Sequence, residues 1–132
     1  MSVFSEYQTD TIDLALDFYG YEDCPKNYEF GPSVRDNFVL HFVTKGKGVF
    51  HFNKKEIHLE AGDLFLLPKN KVTYYKADAE EPWSYYWIGI SGTKVSDFMR
   101  FSTLHEKGFL KKTEVETEKI GQFMERLVHK AE

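Results

Sequence analysis

Apolar and polar residues alternate through the middle of the chain, between residues 38 and 90. Such alternation puts the apolar side chains on one face and is typical of β-strands with one buried face. Clusters of glycine, proline, asparagine, aspartate and lysine interrupt the alternation and predict turns. The pattern predicts strands over residues 38–44, 49–52, 56–59, 64–67, 72–76 and 83–90.

Two further strand signals precede this region. Residues 12–21 alternate at their start and predict a strand that ends near Gly20. Residues 27–37 predict a loop that contains one short strand. Strands of this length at such even spacing are typical of a jelly roll or a barrel.

Beyond Gly92 the apolar period changes from 2 to about 3.6, which predicts two helices. Thr113 and Glu116 have the spacing of a capping box, so the second helix is predicted to begin there. Its apolar stripe can pack on the barrel, on the shorter helix, or on the same helix of a second chain. The stripe, which is also the candidate dimer interface, consists of Ile120, Phe123, Met124, Leu127 and Val128.

We therefore predict a mainly β protein, a cupin-like jelly-roll β-barrel followed by two C-terminal α-helices. The expected divisions are an N-terminal arm over residues 1–12, a ligand-binding barrel over 13–92 and a helical dimerisation segment over 93–132. Neither Gly nor Pro ends the last helix, so we expect the natural chain to continue beyond Glu132.

Composition narrows the class of protein. At 132 residues the chain can bury one core without disulfides or metal. A net charge of −4 offers no clustered basic surface for nucleic acid. The single cysteine excludes an internal disulfide, and no apolar run approaches the length of a membrane span. We expect a cytoplasmic protein that does not bind membranes.

Residues 62–73 resemble the second motif of the cupin family, in which Gly is followed by five residues, Pro, any residue, Gly, two residues and His. Asn70 replaces the second Gly of that motif, and Thr73 replaces its metal-binding His. Aligning Gly46 with the turn glycine of the first motif puts Ser, Arg and Val at its ligand positions, at Ser33, Arg35 and Val39. Because metals need imidazole or carboxylate there, we expect no metal and no other cofactor.

The sequence contains no strong signal for a histidine metal site or for a cysteine nucleophile. His41, His51 and His58 lie on three different predicted strands, and none of their spacings forms a metal site in advance. Cys24 lies beside Pro25 in a loop, with no His nearby in the sequence to activate it. A packed or exposed position is the simpler interpretation of each of the three histidines, and Cys24 does not stand out as an activated nucleophile.

Strand alternation predicts what the barrel interior contains. If Val39 and Thr73 face inward, Arg35, His41 and Tyr75 do so too. On the last strand Trp83, Tyr85 and Trp87 share one face, and the opposite face could instead be the inward one. Aromatic rings stack on the C–H faces of a sugar, and a guanidinium donates to its hydroxyls. The candidate ligand-binding residues are Arg35, His41, Thr73, Tyr75, Trp83, Tyr85 and Trp87.

Three functions fit this interior. The first is a ligand-sensing domain that binds a sugar without turnover. The second is a small cupin enzyme, such as a sugar isomerase or epimerase, in which His41 and Tyr75 or Tyr85 are the acid and base. The third is a dimerisation module whose cavity is filled by side chains.

Short motifs in order along residues 12–130 carry a family resemblance. They include Cys24-Pro25, residues 30–36, the Gly46-Lys47-Gly48 turn, residues 61–68, and residues 82–87. In this order and spacing they resemble the N-terminal ligand-binding domain of AraC-family transcriptional regulators, especially sugar-sensing members.

The resemblance implies an effector-binding barrel whose effector is a mono- or oligosaccharide. It implies a homodimer formed by the two helices, and an arm, residues 1–12, that folds over the pocket. It also implies that DNA is bound only through a C-terminal helix-turn-helix domain absent from this chain. Tyr75, Tyr85 and Trp87 match sugar-contact positions of the family, whereas Arg35 is offset from the family's guanidinium, whose place is taken by Gly31.

Overall fold

The computed structural model describes residues 3–6, 15–33, 36–100 and 102–129. Side chains are described for all of these except residues 3–6 and 97–100. The strands are β1 (Val3–Glu6), β2 (Ala15–Asp23), β3 (Glu29–Ser33), β4 (Phe38–Lys45), β5 (Lys47–Phe52), β6 (Lys55–Glu60), β7 (Leu64–Leu67), β8 (Thr73–Ala77), β9 (Ser84–Ser91) and β10 (Phe109–Leu110). The helices are α1 (Thr93–Arg100), α2 (Thr103–Lys107) and α3 (Glu118–His129).

Two antiparallel sheets form a jelly-roll sandwich. The larger sheet has the strand order β1-β2-β9-β4-β7-β10, and the smaller has the order β3-β8-β5-β6. The alternation of apolar residues produces this arrangement because each strand buries one face between the sheets. The predicted jelly-roll fold is confirmed, with β2 running through Gly20 to Asp23 rather than ending near Gly20.

The space between the sheets is filled by apolar and aromatic side chains from both. We call these buried residues the interior cluster. Its largest fully buried members are Trp83, Phe50 and Phe65, which are all 0% exposed. The interior cluster consists of Cys24, Val39, Val43, Phe50, Phe52, Ile57, Leu59, Phe65, Leu67, Tyr75, Ala77, Trp83 and Tyr85.

The outer face of the larger sheet is covered by the helices. Met124 and Val128 of α3 are fully buried there, and they pack in one cluster with Tyr86 and Ile88 of β9. Gly121 allows α3 to approach closely, since a Cβ at this position would lie 2.4 Å from the ring of Phe42. One sheet therefore contributes side chains to two cores, one on each face.

The C-terminal region differs from its prediction in two details. The helix α3 begins at Glu118, and residues 112–115 form a turn and a bend, so the predicted capping box does not begin a helix. The hydroxyl of Thr117 donates to the Gly62 carbonyl instead, and the Glu116 carboxylate accepts from the Glu118 N–H. The short elements α2 and β10 lie between the two longer helices, and β10 pairs with β7. No helix among the described residues is both long and apolar enough to cross a membrane.

Candidate ligand-binding site

The predicted inward positions of β4, β8 and β9 do face the interior. Val39 and Val43 lie in the interior cluster, as do Tyr75, Trp83 and Tyr85. The opposite face of β9, which carries Tyr86 and Ile88, lies under the helices. The alternative assignment of faces is therefore wrong, because the helices cover the even-numbered side chains of β9.

His41 lies within a group of aromatic rings. Its imidazole is stacked on Phe65, with centroids 4.3 Å apart and planes 7° apart. Tyr85 lies edge-on at 4.8 Å and Tyr75 lies tilted at 5.2 Å. With only 2% exposed, His41 is positioned by packing against these rings.

Two tyrosines and a cysteine put polar groups in this apolar interior. The Tyr85 hydroxyl interacts with the side chains of Tyr75 and Cys24. Burial raises the pKa of Tyr85 far above its usual range, and proximity to Tyr75 and Cys24 adds to the shift. Burial also raises the pKa of the Cys24 thiol to about 11. Both groups therefore stay protonated near neutral pH and can donate hydrogen bonds.

Five partly buried aromatic residues in the described part of the chain pack against the interior cluster, and one of them, Phe109, lies apart from the others on β10. Phe18 of β2 and Trp87 of β9 pack against it from the larger sheet, and Tyr28 and Phe30 do so at β3 of the smaller sheet. We call these four side chains the β2–β3 edge. Half-buried aromatic rings of this kind are side chains against which a sugar ring can stack.

The rings of this edge continue directly into the interior. Phe30 is stacked on Tyr75 at 5.4 Å, and Trp87 lies edge-on to Tyr85 at 6.0 Å. Burial raises the pKa of Tyr28, so its hydroxyl also remains protonated near neutral pH. A molecule at this edge would contact aromatic faces and reach neutral donors behind them.

The structure does not bring all the predicted site residues together. Trp83 is 0% exposed and stacked on Phe65 at 5.1 Å, so it belongs to the packed core. Its indole N–H has no hydrogen-bond partner among the described residues. Thr73 is buried and lies opposite Ser33. Arg35 lies outside the described residues.

The predicted dimer residues divide into three groups by their exposure. Met124 and Val128 lie in the chain's own core, at 0% exposed, which removes them from any surface that a second chain could cover. Phe123 is 54% exposed. Ile120 and Leu127 are partly buried against the outer face of the larger sheet.

Some residues at the site carried no clear signal in the sequence. Phe18 lies opposite Gly89 of β9, and its ring occupies the space that a Cβ at Gly89 would fill, a contact that only the pairing of β2 with β9 reveals. Cys24, Tyr28 and Phe30 lie in or beside a predicted loop, where alternation carries no information. Among the described residues, no group of three or more His, Cys, Asp or Glu side chains could hold a metal ion.

Comparison with known proteins places this site in context. Residues 15–132 match the family model of the AraC-like ligand binding domain. The Msm operon regulatory protein of Streptococcus mutans is 44% identical over 107 residues, which are 81% of this chain and 38% of that protein. The raffinose operon transcriptional regulatory protein RafR of Pediococcus pentosaceus is 40% identical over 100 residues, 74% of this chain and 36% of that protein.

A third relative is the lactose operon transcription activator of Staphylococcus xylosus, 34% identical over 97 residues, which are 74% of this chain and 35% of that protein. The chain thus spans somewhat over a third of the length of these curated relatives.

Solved structures agree on the fold. Escherichia coli YhaK gives a TM-score of 0.58 at 14% identity, covering 70% of this chain and 45% of that chain. The cupin domain of Schizosaccharomyces pombe Cnp3 gives 0.53 at 14% identity, covering 75% of this chain and 70% of that chain. At these identities the likeness concerns the cupin fold alone.

Proposed function

We propose that this chain, which belongs to the family of AraC-like ligand binding domains, is the effector-sensing domain of a longer regulator of a sugar operon. The effector would be a mono- or oligosaccharide. Two relatives carry raffinose and lactose in the names of the operons they regulate, and this supports the class of effector.

One observation carries the proposal. The half-buried rings of the β2–β3 edge contact Tyr75 and Tyr85 behind them, and burial keeps the Tyr85 hydroxyl protonated. Sugars present C–H faces to aromatic rings and hydroxyls to donors and acceptors, so this combination of groups complements them. We assign ring stacking to Trp87, and hydrogen bonding to Tyr75 and Tyr85. We retain the prediction that Arg35 is an additional hydrogen-bond donor to the sugar.

The same chemistry supports binding without turnover. A general acid and base need pKa values near the working pH, whereas burial drives the pKa of Tyr85 far above it. His41, the other member of the pair, is held in a stack on Phe65. We therefore propose a sensor rather than an isomerase or epimerase.

Effector binding would act through a dimer and a DNA-binding unit elsewhere in the longer regulator. The exposed Phe123, with Ile120 and Leu127 partly buried beside it, supports a homodimer through the outer side of α3. A net charge of −4 supports operator contact by a separate, basic part of the regulator. The effector would bind more tightly to one arrangement of these parts than to another, and it would thereby shift the population toward that arrangement.

The N-terminal arm would close over the sugar. Most of residues 1–12 lie outside the described part of the chain, but β1 pairs with β2, with Glu6 opposite Phe18 of the β2–β3 edge. This pairing brings the start of the chain beside the proposed site, which supports the prediction.

Isothermal titration calorimetry of this domain with raffinose and with lactose tests the proposed function. We expect saturable binding of at least one sugar, and Trp87→Ala should weaken it about tenfold because a stacked ring contributes roughly 0.5–1.5 kcal/mol beyond its buried area. Tyr74→Ala is the matched control, since Tyr74 occupies an outward position next to Tyr75.

Two results would contradict the proposal. One is that both variants retain the wild-type affinity for the bound sugar. The other is a new product in chromatography of the sugar after long incubation with the domain, which would favour the cupin enzyme.

A further inference from the structure

A carboxylate faces the proposed sugar site from β2. Glu22 lies opposite Tyr85 in the antiparallel register of β2 and β9. Directly opposed residues project to the same face of a sheet, and Tyr85 belongs to the interior cluster. The neighbour Tyr21 instead packs on Tyr86, 4.8 Å away on the outer face. Alternation along β2 thus turns Glu22 inward.

The surroundings of Glu22 place it beside the β2–β3 edge. Its negative charge raises the pKa of both Cys24 and Tyr28, in addition to the larger effect of burial, so the carboxylate lies close to both side chains. Cys24 is part of the interior cluster, and Tyr28 is one of the four rings of the edge. Glu22 is thus the acidic member of this group.

The Glu22 carboxylate has no partner within the part of the chain that the structure describes. Glu22 is half-buried, and among the described residues none donates a hydrogen bond to it or forms an ion pair with it. A partly desolvated charge without a partner is costly. A ligand that supplies hydroxyl donors at this point would recover that cost.

A charged acceptor of this kind suits adjacent hydroxyls. The two oxygens of a carboxylate accept hydrogen bonds from two neighbouring O–H groups, and hydrogen bonds to a charged partner are stronger than neutral ones. Gly20, two residues before Glu22, lies opposite Trp87 and has no side chain there. The pair of Gly20 and Trp87 and the pair of Glu22 and Tyr85 are successive pairs on the same face of the sheet. A sugar ring stacked on Trp87 would therefore lie next to Glu22.

We propose that Glu22 is a specificity-determining ligand residue, which accepts hydrogen bonds from two adjacent hydroxyls of the sugar stacked on Trp87. The inference rests on the proposed function and extends it to a residue on β2. The negative charge would also disfavour sugars that carry phosphate or carboxylate groups, so the effector is a neutral sugar.

Calorimetric titration of Glu22→Gln with raffinose and lactose tests this assignment. The substitution keeps the shape of the side chain and removes its charge. We expect affinity for the bound sugar to fall at least about tenfold, because charge-assisted hydrogen bonds contribute roughly 1.5–3 kcal/mol. The midpoint of thermal unfolding without sugar should stay near that of the wild type, which separates a ligand contact from a structural role.

Asp23→Asn is the matched control. Asp23 is the next residue on the same strand, but it bonds to Ser84 and Tyr21 on the opposite face. The same loss of one charge should leave sugar affinity within about twofold of the wild type. Glu22→Asp, which keeps the charge on a shorter side chain, should fall between the wild type and Glu22→Gln.

The outcomes separate the two proposals. If the wild type binds sugar and Trp87→Ala does not, while Glu22→Gln keeps full affinity, the assignment of Glu22 is overturned and the proposed function stands. Equal losses in Glu22→Gln and Asp23→Asn would also overturn it. A wild-type domain that binds neither sugar overturns the proposed function and this inference together.

Discussion

Three consecutive residues, the last two of β2 and the one that follows it, illustrate how the side of a sheet decides the chemistry of a side chain. Glu22 and Cys24 face the interior, whereas Asp23 between them is exposed and faces outward. Burial raises the pKa of the Cys24 thiol to about 11. Hydrogen bonds from Ser84 and Tyr21, with a smaller contribution from the charge of Lys45, lower the pKa of Asp23 to about 2. The pKa is therefore lowered at Asp23 and raised at Cys24, although the two residues are neighbours in the chain.

The lowered pKa of Asp23 predicts a pH-dependent contribution to stability. A carboxyl group whose pKa is lower in the folded state stabilises the fold above its ordinary pKa, and the contribution is lost as pH falls toward the folded-state value. Asp23→Asn should therefore lower the free energy of unfolding at pH 6, by about 1 kcal/mol or less because solvent screens a side chain that is 42% exposed.

The difference between wild type and Asp23→Asn should shrink between about pH 4 and pH 2, the window between the ordinary pKa of 3.8 and the folded-state value of about 2. Thermal unfolding followed by circular dichroism across this range measures it. Glu80→Gln, at an exposed loop position, is the control. A difference that grows as pH falls would contradict the assignment.

At the scale of elements, a set of hydrogen bonds joins the start of α3 to the sandwich. The buried Asp63 carboxylate accepts from the backbone N–H groups of Glu60 and Lys112, 2.8 and 3.0 Å away. The Thr117 hydroxyl donates to the Gly62 carbonyl at 2.6 Å, and the Lys112 amine donates to the Ala61 carbonyl at 2.7 Å. The turn before β7 thus holds the segment that leads into α3.

Removing one of these bonds should weaken the whole fold. Thr117 is only 4% exposed, so Thr117→Val would leave the Gly62 carbonyl without its donor. We expect a loss of about 1–3 kcal/mol in the free energy of unfolding, measured by urea titration. Thr113→Val, in the exposed turn just before, makes the same change of side chain and should cost less than about 0.5 kcal/mol. Equal losses for the two variants would contradict the role of Thr117.

At the scale of the whole molecule, the larger sheet is used on both faces. Its inner face supports the interior cluster and the proposed sugar site, and its outer face is covered by α1 and α3. Because α3 packs on this face, Met124 and Val128 of the predicted dimer stripe are buried within the chain itself. Phe123, at 54% exposed, remains available to a second copy of the chain.

The proposed homodimer predicts a dependence on Phe123. A charge placed in an apolar interface is costly, so Phe123→Glu should raise the dissociation constant of the dimer at least tenfold. Sedimentation velocity across a range of protein concentrations measures this constant. Gln122→Glu adds the same charge at an exposed position on the other side of α3 and should leave the dimer intact. A dimer unaffected by Phe123→Glu would require a different interface.

Much of the fold could be read from the sequence because strand alternation is local. The predicted β7 agrees with the structure residue for residue, and β4 differs only by the addition of Lys45. The start of α3 was missed because Thr113 and Thr117 present similar local signals, and the choice between them depends on the Gly62 carbonyl of a distant turn. Local patterns cannot register such a partner.

The sequence by itself determined which side chains of β4, β8 and β9 share a face, since a period of two follows from backbone geometry alone. Tertiary structure decided which of the two faces is inward, because on β4 and β9 the helices cover the other one. Tertiary structure decided how deep each of them lies. Trp83 just before β9 and Trp87 within it both turn toward the interior, yet the first is fully buried in the core and the second is half-buried. It also decided that Glu22 lies opposite Tyr85. Depth and register depend on how distant strands pair and stack, and those contacts form only when the whole chain folds.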